Sequence, residues 1–499
     1  MKSRKPRTLG GRNNPRKPSD IVPFYQAIKD KKKKPVKIKK EEDDYRYPDA
    51  QNNQDSGFKP FYQKKPIDNT RFHSEEAKFS RSILMSLPER NATEGSHEGL
   101  EPLAHYPYFT EQMVKLKEFS KYWSDKHLDG EILPLIPAPE PRNYRAHSRR
   151  KVFFSGHSIV LGFGEQKHLE FPKRGMAIVA QSSIEPEMHY DIYLAIAEKL
   201  ATSPYKELSE ALNFIIIRDT GEKAIIFNVF EINGEIVRKL KLIAEMLQKS
   251  DFNIVSAWMY HDPNRSEYFL DHKDLAPGQM KLKKLFGFDM LKLEIEEIKF
   301  QLSPFILTQV NIPMLRIVVK RIQQLLSDIP SDARLLDLYC GYGLFSHTLS
   351  SVFSDSLGLD SSASGIESAK SLVQRRLKAG HQIGTLNFKE TYITKDSIKQ
   401  LVPQIGKPEY IIIDPPRQGT AEGVIAEIAL RKPVKVIHIF CAIDQIVKAM
   451  AEWKRAGYIP TLVQALDMYP GTPSIETLVV LEPDTNATPT RSYRIRYRT

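Results

Sequence analysis

From residue 334 onward the chain alternates apolar runs with helical stretches, and this rhythm limits its folds more than any other feature. The runs are RLLDLY (334–339), DSLGLD (355–360), TLNFKE (385–390), YIIIDP (410–415) and VKVIHIF (434–440), then IPTLVQALDMY and ETLVVLEP. Helices are predicted between them at about 344–352, 362–379, 420–431 and 443–456. Near-continuous apolar strands separated by helices indicate a parallel sheet covered on both faces. The two closely spaced strands at the end predict an antiparallel hairpin edge.

The region before this one has a different grammar. An amphipathic helix is predicted at about 105–127, followed by β-rich runs RKVFFS, SIVLGFG, NFIIIRD, KAIIFNVF and NIVSAWMY, with helices at about 189–203 and 234–249. KLKKLFGF and KLEIEEIKFQLS read as two short strand pairs closing the segment near 303, and a further helix is predicted at about 309–327. Closely spaced strands with few crossovers predict an α+β domain over 101–303, ahead of an α/β domain over 304–483.

Charge sets the two ends apart. Residues 1–40 hold 15 Lys or Arg against 2 Asp or Glu, which accounts for essentially the whole net charge of +12. Residues 1–100, rich in Lys, Pro, Asn, Asp and Ser, are predicted to be a disordered basic tail suited to a polyanion such as RNA. FKPFYQKKP at 58–66, with aromatics among lysines, is a candidate nucleic-acid contact or a linker, and 484–499 is a second basic tail. No run reaches the length of a membrane span, and two cysteines are too few for a disulfide framework or a four-thiolate metal site. The expectations are a soluble intracellular protein, cytoplasmic or, in a eukaryotic cell, nuclear, monomeric and without a metal.

Four strand ends and the terminal hairpin carry the candidate chemistry. The first runs into DLYCGYG at 337–343, where Gly341 and Gly343 permit a tight turn and close approach of a ligand to the backbone. The second ends in Asp360, placed to accept hydrogen bonds from ribose hydroxyls. The missing third glycine of a dinucleotide loop favours a nucleoside without a pyrophosphate, namely S-adenosyl-L-methionine. The fourth strand ends in DPPR, whose prolines fix an extended exit and aim Asp414 and Arg417 at one crevice. The fifth ends in Cys441, which is either a small buried hydrophobe or a thiol where open α/β sheets place their chemistry. The terminal hairpin carries YPGTPSIE at 469–476.

With TQVN at 308–311, these motifs in this order resemble the RNA 5-methyluridine methyltransferases, which methylate C5 of uridine in tRNA and 23S rRNA. The resemblance is strongest over about 295–482 and fainter through NYRAHSRRKVFF and LGFGEQKHLEF. It implies a Rossmann-like methyltransferase domain, S-adenosyl-L-methionine as cofactor and structured RNA as partner. Carried over by position, it implies Cys441 as nucleophile, Glu476 as general base, and Gln309, Tyr339, Gly341, Asp360 and Asp414 around the cofactor. Arg417 would hold the target base or the catalytic loop. Ala442-Ile443, Leu344 and Ser474 stand where the family usually has Asn-Pro, Asn and His.

The chemistry has a physical reason for each group. Uracil C5 becomes nucleophilic only after a thiolate has added at C6, and the C5 proton must later be removed by a base. A reactive thiol is expected in an electropositive, partly open setting. Two other readings share these motifs: a degenerate member that binds or folds RNA, and an N-directed methyltransferase. The latter would use an aromatic where Arg417 stands and would need no thiol.

Overall fold

The computed structural model describes residues 74–88, 100–164, 170–265 and 281–485. The predicted basic tail up to residue 73, the stretch at 58–66 and the C-terminal tail beyond residue 485 lie outside the described residues, as does part of LGFGEQKHLEF.

The first described segment corrects the sequence reading. Within the stretch predicted to be disordered, Glu75–Met85 form a helix (α1), capped by the Ser74 hydroxyl accepting the Ala77 amide at 3.1 Å. Its Phe79 and Ile83, four residues apart and so on one face, are buried against the next helix, Tyr108–Asp125 (α2). Burying each is worth about 1.5–3 kcal/mol. The strand after α2, Ile132–Ile136 (β1), pairs not with its sequence neighbours but in parallel with a strand more than 300 residues later.

The central domain is a seven-stranded mixed sheet. Its strands are His147–Phe154 (β2), Ile159–Gly162 (β3), Ala177–Val179 (β4), Leu212–Asp219 (β5), Lys223–Val229 (β6), Ile254–His261 (β7) and Lys281–Gly287 (β8), in the order β4-β3-β2-β5-β6-β7-β8. Glu187–Leu200 (α3), Lys206–Ala211 (α4) and Gly234–Gln248 (α5) share one apolar core with the sheet. KLKKLFGF is therefore the edge strand β8 rather than a strand pair, whereas KLEIEEIKFQLS is a hairpin of Leu291–Ile295 (β9) and Ile298–Leu302 (β10).

Ile312–Leu325 (α6) leads into the second sheet. It comprises Arg334–Leu338 (β11), Asp355–Asp360 (β12), Thr385–Glu390 (β13), Glu409–Ile413 (β14), Lys435–Phe440 (β15), Tyr458–Leu466 (β16) and Glu476–Pro483 (β17), in the order β1-β16-β17-β15-β14-β11-β12-β13. Strands β11 to β15 are parallel, and β17 runs antiparallel between β15 and β16. The predicted hairpin is present, but β1 covers what would have been its open edge. Leu344–Thr348 (α7), Ala363–Lys378 (α8), Lys395–Leu401 (α9), Val424–Leu430 (α10) and Ile446–Arg455 (α11) connect the strands.

The alternation along β11 sends Leu335 to one face and Leu336 and Leu338 to the other, where α1 and α2 share the core with α10 and α11. The α/β domain thus takes its first elements from residues 74–136, a correction to boundaries at 101 and 304. No helix among the described residues is long and apolar enough to cross a membrane.

Candidate active site

The strand order reverses between β11 and β14, and a crevice at the carboxyl ends of parallel strands is expected there. At the end of β11 the backbone turns sharply: Tyr339 has φ +65°, Gly341 +55° and Gly343 +77°. A bulky residue with positive φ is strained, and such strain concentrates at functional turns. Gly343 cannot carry a side chain, because a Cβ there would stand 2.7 Å from Phe388. At Gly341 a Cβ would meet nothing within 4 Å, so the turn opens onto free space at that point.

Asp360 closes this turn: one carboxylate oxygen accepts the Gly341 amide at 2.8 Å and the other the Ser362 amide at 2.7 Å. Burial still leaves its pKa above the usual value. Asp337 is spent on structure, accepting the Ser346 amide at 2.9 Å and hydroxyl at 2.7 Å at the start of α7. Burial pushes the Tyr339 phenol up to about 12, with the Ala421 backbone pulling it down. In TQVN, Thr308 meets His147 at 2.5 Å and the Arg218 guanidinium at 3.1 Å, anchoring the central domain. Asn311 caps α6 by accepting the Met314 amide at 3.0 Å and donates to the Met468 carbonyl at 3.1 Å. Gln309 lies half-buried between these two fixed points.

Across the crevice, Cys441 ends β15 half-buried, its Sγ 3.5 Å from the Pro415 carbonyl. Glu476 starts β17, nearly fully buried, its Oε1 accepting the Tyr469 hydroxyl at 3.0 Å. Burial raises the Glu476 carboxyl to about 7, against lowering by Tyr469 and Arg417. The Cys441 thiol is pushed up to about 12, by burial first and then by Glu476 and Asp414, while Arg417 pulls it down. Asp414 is pushed well above the carboxylate range by burial and by Glu476, Asp337 and Asp360. The thiol is partly open as expected, but its surroundings are acidic rather than electropositive. Carboxylates that repel one another in this way suit a cationic ligand.

The loop that carries Glu476 is held by residues that the motifs did not reveal. Lys115 on α2, wholly buried, pairs with the equally buried Asp467 at 2.6 Å and also donates to the carbonyls of Tyr469 at 3.1 Å and Ser474 at 3.3 Å. Glu111, one turn earlier, accepts the Gly471 amide at 2.7 Å, and the Tyr144 hydroxyl donates to the Pro470 carbonyl at 3.0 Å. YPGTPSIE is therefore clamped by α2 and the segment after β1. Charged residues at 111 and 115, on the same stripe as Val114, Phe119 and Tyr122, were the available signal. Among the described residues, no group of three or more His, Cys, Asp or Glu is arranged to hold a metal ion.

Parallel strands β11 to β15 in this order, with an antiparallel β17 and an opened glycine turn at the end of β11, fit an S-adenosyl-L-methionine-dependent methyltransferase. The groups present fit that cofactor: free space at Gly341, and a crowd of carboxylates facing a ligand that carries a sulfonium and an ammonium. Residues 279–484 match the model of the tRNA (uracil-5-)-methyltransferase family, which supports an RNA uracil-C5 methyltransferase.

Its relatives include an uncharacterized RNA methyltransferase of Clostridium acetobutylicum, 24% identical over 75% of this chain and 80% of the relative. Another, of Halalkalibacterium halodurans, is 26% identical over 70% and 72%. The tRNA (uracil-54, C5)-methyltransferase of Pyrococcus abyssi, solved with S-adenosyl-L-homocysteine, shares the fold with a TM-score of 0.57 at 18% identity, over 77% of this chain and 84% of that one.

Proposed function

We propose that this enzyme methylates a uridine of structured RNA at C5 through a covalent bond from Cys441 to C6, resolved by Glu476. The observation that carries the reading is the pairing of a half-buried thiol with a buried carboxyl whose pKa is raised to about 7, within electrostatic reach of each other and of Arg417. S-adenosyl-L-methionine supplies an electrophilic methyl group when bound. The Cys441 thiolate adds to C6, and the C5–C6 π electrons move toward O4, leaving C5 nucleophilic. Once C5 has taken the methyl group it still carries its hydrogen. Glu476 accepts that proton, the electrons restore the C5–C6 double bond, and the C6–S bond breaks to return the thiolate. The net change replaces hydrogen by methyl on C5 and releases one proton.

Gln309, Tyr339, Gly341, Asp360 and Asp414 are the residues assigned to the cofactor, and Arg417 to the target base or the thiol loop. The α+β domain predicted over 101–303, whose sheet runs from His147 to Gly287, is the domain assigned to RNA. A flipped base is needed for C6 and C5 to be reached, at a cost of a few kcal/mol that the RNA contacts must meet.

Two outcomes follow. Asp360→Ala removes the acceptor of the Gly341 and Ser362 amides, so calorimetry is expected to show S-adenosyl-L-methionine affinity lost with the fold retained. Normal affinity would remove Asp360 from the cofactor site. Glu476 takes up a proton only when ionised, so decay of preformed methylated adduct after a pH jump is expected to slow about tenfold per unit below a midpoint near 7. A midpoint at the ordinary glutamate value would take Glu476 out of the role of base.

A further inference from the structure

The loop after Cys441 is gripped at its backbone by two helices from the other end of the chain. A 3₁₀ turn, Ile443–Gln445, begins two residues beyond the thiol. Its first amide, that of Ile443, donates to Glu76 Oε2 at 3.0 Å, and its first carbonyl accepts the Tyr122 hydroxyl at 3.3 Å. Next to it, the Asp444 carboxylate accepts the Glu76 amide at 2.8 Å, so Glu76 is bonded to the turn through both main chain and side chain. Burial raises the Glu76 carboxyl, while the Ile443 amide and then Arg417 pull it down.

One residue thus holds the turn behind the thiol through two hydrogen bonds, one to its side chain and one from its main chain. The helix that brings it is fixed by its own means: Ser74 caps it, Phe79 and Ile83 are buried, and the Ser86 hydroxyl donates to Glu118 at 2.6 Å. Glu75, its sequence neighbour, points away to Lys126 at 2.7 Å and Lys78 at 2.8 Å.

We infer that Glu76 is a positioning residue of the active site, a carboxylate supplied by an N-terminal helix outside the matched residues 279–484 that fixes the backbone of the turn behind Cys441. It does not touch the reacting atoms; it acts by holding the Ile443 amide and the Asp444 carboxylate. The inference rests on Cys441 and Glu476 as the reacting pair. Its chemistry requires an acceptor at position 76 rather than a charge. It also requires a restraint on the backbone at 443, which a proline can provide by another route: proline suits the first position of a helical turn and needs no acceptor.

The test uses the full chain, radiolabelled S-adenosyl-L-methionine and an unmodified RNA substrate under single-turnover conditions. Glu76→Ala is expected to slow adduct formation by about 100-fold, the order of loss that a misplaced reacting group causes, with cofactor affinity and unfolding midpoint unchanged. Glu76→Gln keeps an acceptor oxygen and is expected to stay within about threefold of the native rate. Adding Ile443→Pro to Glu76→Ala is expected to restore most of the loss, which neither a general-base nor a substrate-binding role would allow. Glu75→Gln serves as the control and is expected to leave the rate unchanged.

A native rate in Glu76→Ala, or a loss that neither Gln nor the added proline recovers, overturns the inference. Cys441→Ala is run beside these variants. An adduct formed without that thiol would overturn the nucleophile assignment instead, so the two failures are told apart.

Discussion

Cys441→Ala is expected to form no covalent bond to RNA, and Glu476→Gln to accumulate one that survives denaturing electrophoresis and contains the transferred methyl group. The two residues sit at the ends of adjacent antiparallel strands, β15 and β17, and share one electrostatic environment, yet the chemistry assigns them to different steps. Without the thiol, C5 is never activated and methyl transfer falls to background. Without the base, addition and methylation proceed but elimination stalls, since C5 keeps its proton; general bases contribute about 10²–10⁴-fold to such steps. A stalled adduct in Glu476→Gln and none in Cys441→Ala ties each residue to its step. Normal turnover in Glu476→Gln, or a persisting adduct in Cys441→Ala, would return Cys441 to the status of a buried hydrophobe.

The second large effect falls on stability. Lys115→Ala is expected to lower folding stability by about 3–5 kcal/mol, because it leaves the carboxylate of Asp467 buried with no cation beside it. Both side chains are fully excluded from solvent, so water cannot compensate. The Tyr108 hydroxyl, 2.9 Å from Asp467, would remain as a hydrogen-bond donor but carries no charge. The same variant frees the carbonyls of Tyr469 and Ser474, so the Glu476 loop is expected to loosen before the sheet unfolds. Denaturant unfolding followed with hydrogen exchange at 469–476 reads both effects. Lys115→Met is the informative partner, since it fills the space without the charge. Should Met prove as stable as Lys, the pair would be dispensable to the fold.

The α/β half was legible because its strands announce themselves twice, by apolar runs and by the chemistry at their ends. Predicted strands at 355–360, 385–390 and 476–483 coincide with β12, β13 and β17, and the remaining strands differ by one to three residues at an end. DLYCGYG could be read because only glycine tolerates the positive φ at 343 beside Phe388. The N-terminal elements were not, for two different reasons. SEEAKFSRSILM carries a helix signature, a serine cap, acidic residues in the first turn and apolar residues four apart, but it lies in a polar, lysine-rich stretch whose composition outweighed it. β1 is only ILPLI, and nothing local distinguishes a strand that joins its neighbours from one that joins a distant sheet. The partners of Lys115 and Glu76 were hidden for the same reason: a charged residue on an apolar stripe shows that a partner exists, but not where in the sequence it lies.

The parallel pairing of β1 with β16 bears on how the molecule is made. Leu133 stands opposite Gln464, so at ribosomal rates of about 5–20 residues per second β1 emerges on the order of 15–70 s before its partner exists. For that interval an apolar strand and the apolar faces of α1 and α2 have no sheet to lie on, while the central domain, whose pairings are all internal to it, can form as it is translated. The enzyme's last strands must then return to its first ones, which places the aggregation-prone moment late in synthesis and makes the nascent N-terminal third a client for holding chaperones.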